Sequence, residues 1–104
     1  MEKLTRYRAI VTPVSGAVTW NTEHLHGDLV SIHIKPATDT TEYVLRITDP
    51  DGLEVYETIP AKTGECAESY DMEAINEILT CALTGATKDE AFTITIRIRE
   101  YQLK

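Results

Sequence analysis

The sequence predicts an all-β chain, an antiparallel two-sheet β-sandwich of about seven strands. Three observations carry that prediction. The first is the run Ala91 to Glu100, AFTITIRIRE, where Phe92, Ile94, Ile96 and Ile98 alternate with Thr93, Thr95, Arg97 and Arg99. Successive strand side chains point to opposite faces, so this run has one apolar and one polar face, whereas a helix would scatter the four apolar groups around its circumference. The second is Asp49-Pro50-Asp51-Gly52, set between two alternating runs. Proline presets the first central position of a type I turn, and glycine takes the left-handed position that starts the return strand. The third is the recurrence of short β-branched and aromatic runs closed by Gly, Pro or Asp, the rhythm of an antiparallel β domain.

Leu4 to Thr12 reads as the first strand, with Tyr7, Ala9 and Val11 on one face, Arg6, Arg8 and Ile10 on the other, and Pro13 as its stop. A turn at Val14-Ser15-Gly16 leads to a short second strand, Ala17 to Trp20, and Asn21 to Gly27 is polar and reads as irregular. Asp28 to Lys35 is the third strand, with Val30, Ile32 and Ile34 inward and Ser31 and His33 outward, ended by Pro36. After the small-residue loop Ala37 to Thr41, Glu42 to Thr48 places Tyr43, Leu45 and Ile47 inward. Leu53 to Ile59 returns from the hairpin with Leu53, Val55 and Ile59 on one face. Pro60 to Tyr70 reads as a polar connection.

Asp71 to Leu83 admits two readings. Met72, Ile75, Ile78 or Leu79, and Ala82 fit helical spacing in a helix-favouring composition, which allows one short helix near residues 71–78. A strand from about Glu77 to Leu83 instead puts Leu79, Cys81 and Leu83 on one face and gives the Ala91 strand an antiparallel neighbour. The strand is the preferred reading, with a helical turn before it left open.

A chain of 104 residues suits one domain with a single two-layer core, residues 1–104, of which 1–8 read as an extended arm. Two cysteines are too few for a disulfide framework, and Met1 to Arg8 carries charge but no following apolar segment of the kind that makes a secretory signal. Free thiols made in a reducing compartment are the expectation, with Cys81 buried as a small hydrophobe. No apolar run approaches the roughly 20 residues that cross a bilayer. The net charge of −7 argues against a nucleic-acid binder, which would carry a basic patch or stripe, and it permits a partner with a basic surface.

No catalytic constellation stands out. His24-Leu25-His26 could present two ligands to one side, with Glu23 or Asp28 as a further donor, but nothing in the spacing demands a metal. The acidic residues match no calcium-loop pattern, and Asp49 and Asp51 are explained by their turn. Ser15, Ser31 and Ser69 sit in no nucleophile elbow, and the five glycines stand singly where turns are wanted. The sequence therefore predicts no enzyme, no cofactor and no metal site. Trp20 falls in register with Val18 and reads as core, the alternative being a sugar-binding platform. The outward row Thr93, Thr95, Arg97, Arg99 is either a solvated face or, in an assembled subunit, a contact face to which the arginines are suited.

Taken together, Val18-Thr19, the strand Gly27 to Ile34, the run Lys35 to Tyr43, the hairpin Ile47 to Tyr56 and Leu83 to Thr87 before the final strand resemble small β-sandwich virion proteins of tailed bacteriophages. The resemblance covers roughly residues 9 to 100 and lies in rhythm, not in a diagnostic motif. The composition from Met72 to Ile78 departs from it. It implies a non-enzymatic capsid decoration (cement) protein that binds the outer shell and locks capsomers together, made in the bacterial host cytoplasm and resident in the virion. The implied partners are the major capsid protein and copies of the chain itself as homotrimers, with neither nucleic acid nor membrane. Candidate shell or subunit contacts are Lys3, Leu4, Arg6 and Arg8 of the segment Met1 to Arg8, which is basic within an acidic chain, together with Arg97 and Arg99. A neck or tail subunit and a carbohydrate-binding sandwich module are the alternatives.

Overall fold

The alternating run Ala91 to Glu100 becomes the strand against which two others are laid. The computed structural model describes residues 2–58 and 62–101, and among them all regular structure is strand. The elements are β1 (Glu2–Val11), β2 (Val18–Pro36), β3 (Glu42–Thr48), β4 (Glu54–Glu57), β5 (Lys62–Thr63), β6 (Cys66–Thr84) and β7 (Phe92–Tyr101). They form one antiparallel sheet in the order β1-β7-β2-β6-β3-β4, with β5 paired to β3. Phe92, Ile94, Ile96 and Ile98 of β7 are all buried, as their alternation requires.

The sheet does not lie flat. Tyr43 on β3 and Phe92 on β7 meet edge to face, with ring centroids 5.2 Å apart and planes at 80°, although β2 and β6 separate their strands in the order. A right-handed twist accumulated over this many strands lets one sheet curl until its inner faces share a core. Layered packing of the sandwich kind is compatible with that contact, here within one continuous sheet. Leu45 and Ile47 from β3, Leu79, Cys81 and Leu83 from β6, and Ile32 and Ile34 from β2 complete the core. The Tyr43 hydroxyl, buried with its ring, donates to the Gly64 carbonyl at 2.7 Å.

Two strands are longer than expected. β2 merges the predicted second and third strands, and Asn21 to Gly27, read as irregular, is part of it. β6 is extended from Cys66 to Thr84, so the short helix allowed near residues 71–78 is absent. Ile75 and Leu79, both buried, are four residues apart, a spacing that serves one face of a helix and one face of a strand alike. Ile78 separates the two cases: a helix would bury it beside Ile75 and Leu79, whereas it is 48% exposed.

Bulges account for the remaining differences. Opposite β6, Asn21 pairs with Thr80 and His24 with Ile78, so Thr22 and Glu23 together face Leu79. The Leu79 N–H, left without a ladder partner, donates to the buried Thr22 hydroxyl at 3.0 Å. Opposite β7, Leu29 pairs with Ile98 and Ser31 with Arg97, which makes Val30 the extra residue. Leu29, Ile32 and Ile34 are therefore the buried set, and Val30 is only half-buried, contrary to its expected place in the core. The hairpin forms at the expected turn, where the Asp49 carboxylate accepts the N–H groups of Asp51 and Leu53, each at 2.9 Å. Val55 is bulged out of its ladder between Tyr56 and Glu54, so Tyr56 and Thr58 point inward and Leu53 is 65% exposed. Ile59, expected to share a face with Leu53, lies outside the described residues. Where β4 ends, the Thr58 hydroxyl takes over and accepts the Leu45 N–H at 2.9 Å.

Residues 1–8, set apart by sequence as an arm, enter β1 from Glu2 onward, and β1 pairs with β7 from Glu2–Tyr101 to Val11–Phe92. Its Pro13-terminated end turns through Ser15 (φ 54°) and Gly16 (φ 81°), the two left-handed positions of a two-residue hairpin turn.

At Gly27 the backbones of β2 and β7 approach closely. The Gly27 φ is +136°, and a Cβ there would lie 2.4 Å from the Arg99 carbonyl oxygen and 2.7 Å from Ile98 Cγ2. Substitution Gly27→Ala must move the β7 backbone, and a loss of about 2–4 kcal/mol in urea denaturation is expected from backbone strain plus overpacking. An unchanged midpoint would mean that β2 and β7 do not approach as described.

Candidate functional site

The outward face of β7 is set by the same alternation that buries its isoleucines. Antiparallel register then places other side chains beside it: Arg6 opposite Arg97 and Arg8 opposite Thr95 from β1, and His33 opposite Thr95 and Lys35 opposite Thr93 from β2. These groups line a groove of about 470 Å³ that ends at Pro36, Ala37 and Ala91. Arg6, Arg8, Lys35 and Arg97 are exposed, and none of them makes an ion pair among the described residues. His33 is engaged by the Glu65 carboxylate.

Of the sequence-predicted contact residues, Arg6, Arg8 and Arg97 are thus brought together. Arg99 pairs in the ladders with Leu4 and Asp28 and is half-buried beyond the groove, and Leu4 is 61% exposed beside it. Lys3 pairs through its backbone with Glu100. Sequence reasoning missed Lys35 and His33, whose membership depends on β2 lying against β7. Their outward alternation in Asp28–Lys35 was the available signal, but not the neighbour.

Other polar groups have structural duties. Asp89 grips the Val14–Ala17 turn, accepting the N–H groups of Ser15 and Gly16, each at 2.9 Å. Glu90 ties the loop before β3: it accepts the Thr38 N–H at 2.7 Å, the Thr38 hydroxyl at 2.8 Å and the Thr41 hydroxyl at 2.9 Å. Desolvation pushes the Glu90 carboxyl upward, but these hydrogen bonds and the Lys88 charge outweigh it and hold the group below its ordinary value. On the hairpin, Arg46 lies between two carboxylates, 4.0 Å from Glu54 and 3.7 Å from Glu57. The hydrogen bond to Glu54, desolvation and the Glu54 charge raise the Glu57 carboxyl against the pull of Arg46.

His24 and His26 do face the same side and line a recess of about 160 Å³ with Glu23 and Glu100. His24 is hydrogen-bonded to Asn76 at 2.7 Å. Among the described residues no three His, Cys, Asp or Glu side chains converge in a way that holds a metal ion. Trp20 is half-buried against the core, and its indole N–H donates to the Tyr7 hydroxyl at 3.1 Å. The Cys66 sulfur lies 3.9 Å from the Tyr56 hydroxyl, and burial pushes the Cys81 thiol up to about 12.

No family model and no curated protein matches this chain. Among solved structures it is similar to one described as the structure of infectious bursal disease virus Gt strain, with 11% identity over 93% of this chain and a TM-score of 0.40. The chain spans 32% of the length of that structure's chain. A likeness this loose carries no argument about function.

Two outcomes are expected. The lowered Glu90 carboxyl contributes stability above its ordinary value of 4.5 and loses it as pH falls through the lower folded value. Denaturation midpoints should accordingly favour the native sequence over Glu90→Gln at neutral pH, with the gap closing below about pH 4.5; a gap independent of pH would refute the assignment. For the cysteines, a thiol reagent should label at most Cys66 in the folded protein and both residues in denaturant. Fast native labelling of Cys81 would contradict its burial.

Proposed function

We propose that this chain is a non-enzymatic structural subunit of a virion, of the tailed-phage kind its sequence resembles, acting as a capsid decoration (cement) protein that stabilises capsomer contacts. The observation that carries the reading is the groove of Arg6, Arg8, Lys35 and Arg97, an assembled cationic surface on an otherwise acidic protein. A cement protein works by repeated contact with a lattice, and a stiff β scaffold with a charged face supplies that without chemistry at any centre. Contacts of this kind gain specificity and rate from charge complementarity. The edge strand β1, which ends the strand order, adds a second means of attachment through strand pairing.

A neck or tail subunit would use the same features in a different place on the particle. The carbohydrate-module alternative is weaker, because Trp20 is half-buried and committed to Tyr7 and presents no open ring platform.

Particles purified from lysates of the host, probed with gold-labelled antibody to this chain, test the proposal. Regular labelling over the shell is expected. Label confined to the neck or tail would move the protein to the alternative position, and unlabelled particles would reject a virion role.

A further inference from the structure

The groove poses an energetic question that the isolated chain leaves open. The sequence holds 17 acidic residues against 10 Lys and Arg, yet four cations, Arg6, Arg8, Lys35 and Arg97, share one concavity with no carboxylate paired to them among the described residues. Arg6 and Arg97 stand directly opposite in the β1–β7 ladder, and like charges at that position are destabilising. A local conflict of this kind, uncompensated within the fold, is expected where something else completes the surface.

The occupant must be anionic, narrow enough for a groove, and partly apolar to match Ala37 and Ala91 at its end. The β3–β4 hairpin of this same chain has those properties. Its tip carries Asp49, Asp51 and Glu54, with Glu57 behind them and Arg46 as the single opposing charge in the pairing. Beside the carboxylates stands Leu53, 65% exposed.

A molecule does not fold its own tip into its own groove. β3 begins on the Ala37 and Ala91 side of the groove, where the Ala37 N–H donates to the Ala91 carbonyl and the Glu42 carbonyl accepts the Thr87 N–H. From there its seven residues carry the hairpin away by roughly 23 Å at strand rise.

We propose that the groove of one copy receives the Asp49–Glu54 hairpin tip of a second copy, in a head-to-tail contact. Asp51 and Glu54 approach Arg6, Arg8, Lys35 and Arg97, and Leu53 rests against Ala37 and Ala91. Groove and tip are different surfaces, so the contact is heterologous and propagates into a closed ring or an open filament. This deepens the reading of the chain as a repeating virion subunit and rests on it.

Native mass by light scattering over a concentration series, with paired charge reversals, tests the contact. The native sequence is expected to assemble at low salt and dissociate towards single chains at about 1 M salt, where the screening length is about 3 Å. Arg6→Glu with Arg8→Glu, and separately Asp51→Lys with Glu54→Lys, should each give single chains with unchanged circular dichroism. An equimolar mixture of the two should reassemble, because each then offers the other a complementary surface. A native sequence that stays a single chain at all concentrations overturns the proposal, as does assembly indifferent to either reversal, or a mixture that fails to recover. So does a groove that retains heparin in an Arg6- and Arg8-dependent way while the mass stays that of one chain. Labelled virions together with a solution monomer would sink this contact and leave the virion reading standing. Charge-dependent assembly with unlabelled particles would do the reverse.

Discussion

The antiparallel pairing of β2 with β6 is the constraint from which the remaining structure follows. Each strand has 19 residues, and between them they hold β7 and β1 on one side and β3 and β4 on the other. A straight pair of that length could not bring Tyr43 against Phe92. Bulges add local twist, and β2 carries one near each end of its middle segment, at Thr22–Glu23 and at Val30. Thr22 makes the first of these tolerable: a buried N–H with no acceptor costs about 1–3 kcal/mol, and its hydroxyl removes that cost at Leu79. Thr58 does the same for Leu45 where β4 ends beside β3. Buried threonines in this protein complete a ladder that the curled sheet interrupts.

The fold also sorts charge. Alternation along β1, β7 and β2 sends the isoleucines of β7 inward and the arginines of β1 and β7 outward, and register gathers Arg6, Arg8 and Arg97 with Lys35. Among the described carboxylates, Asp89 and Glu90 clamp two loops, Glu65 engages His33, and Glu54 and Glu57 gather around Arg46. A protein of net charge −7 thus carries one compact positive surface and, on a different strand pair, a projecting negative one. That separation, more than any single residue, directs the functional reading towards assembly.

The strands were legible in the sequence wherever alternation ran uninterrupted. β7, β1, β3 and the Asp49–Gly52 turn fall where periodicity and turn chemistry place them, and Cys81 is buried between Leu79 and Leu83 as its spacing implies. The misplaced inward residues share one cause. Val30 and Val55 are each the extra residue of a bulge, and one inserted residue transfers every following side chain to the other face. A valine in a bulge looks like any other strand valine, so sequence holds no mark of it. The helix allowed at 71–78 rests on composition and on the spacing of Met72, Ile75, Ile78 or Leu79, and Ala82, within which the four-residue step from Ile75 to Leu79 satisfies both periods. For the site, Arg6, Arg8 and Arg97 were visible as outward cations, whereas Lys35 joined them only through strand order, a long-range property that local pattern does not encode.

Covalent capture of the contact between copies is the most direct measurement. In a Cys66→Ser background, Leu53→Cys places a thiol on the hairpin tip and Ala91→Cys places one at the end of the groove where that tip is seated. Under mild oxidation the chain carrying both should give a ladder of covalent dimers, trimers and larger species, with neither single substitution giving more than background. Monomer throughout, or dimers from one substitution alone, would contradict head-to-tail assembly through the cationic groove.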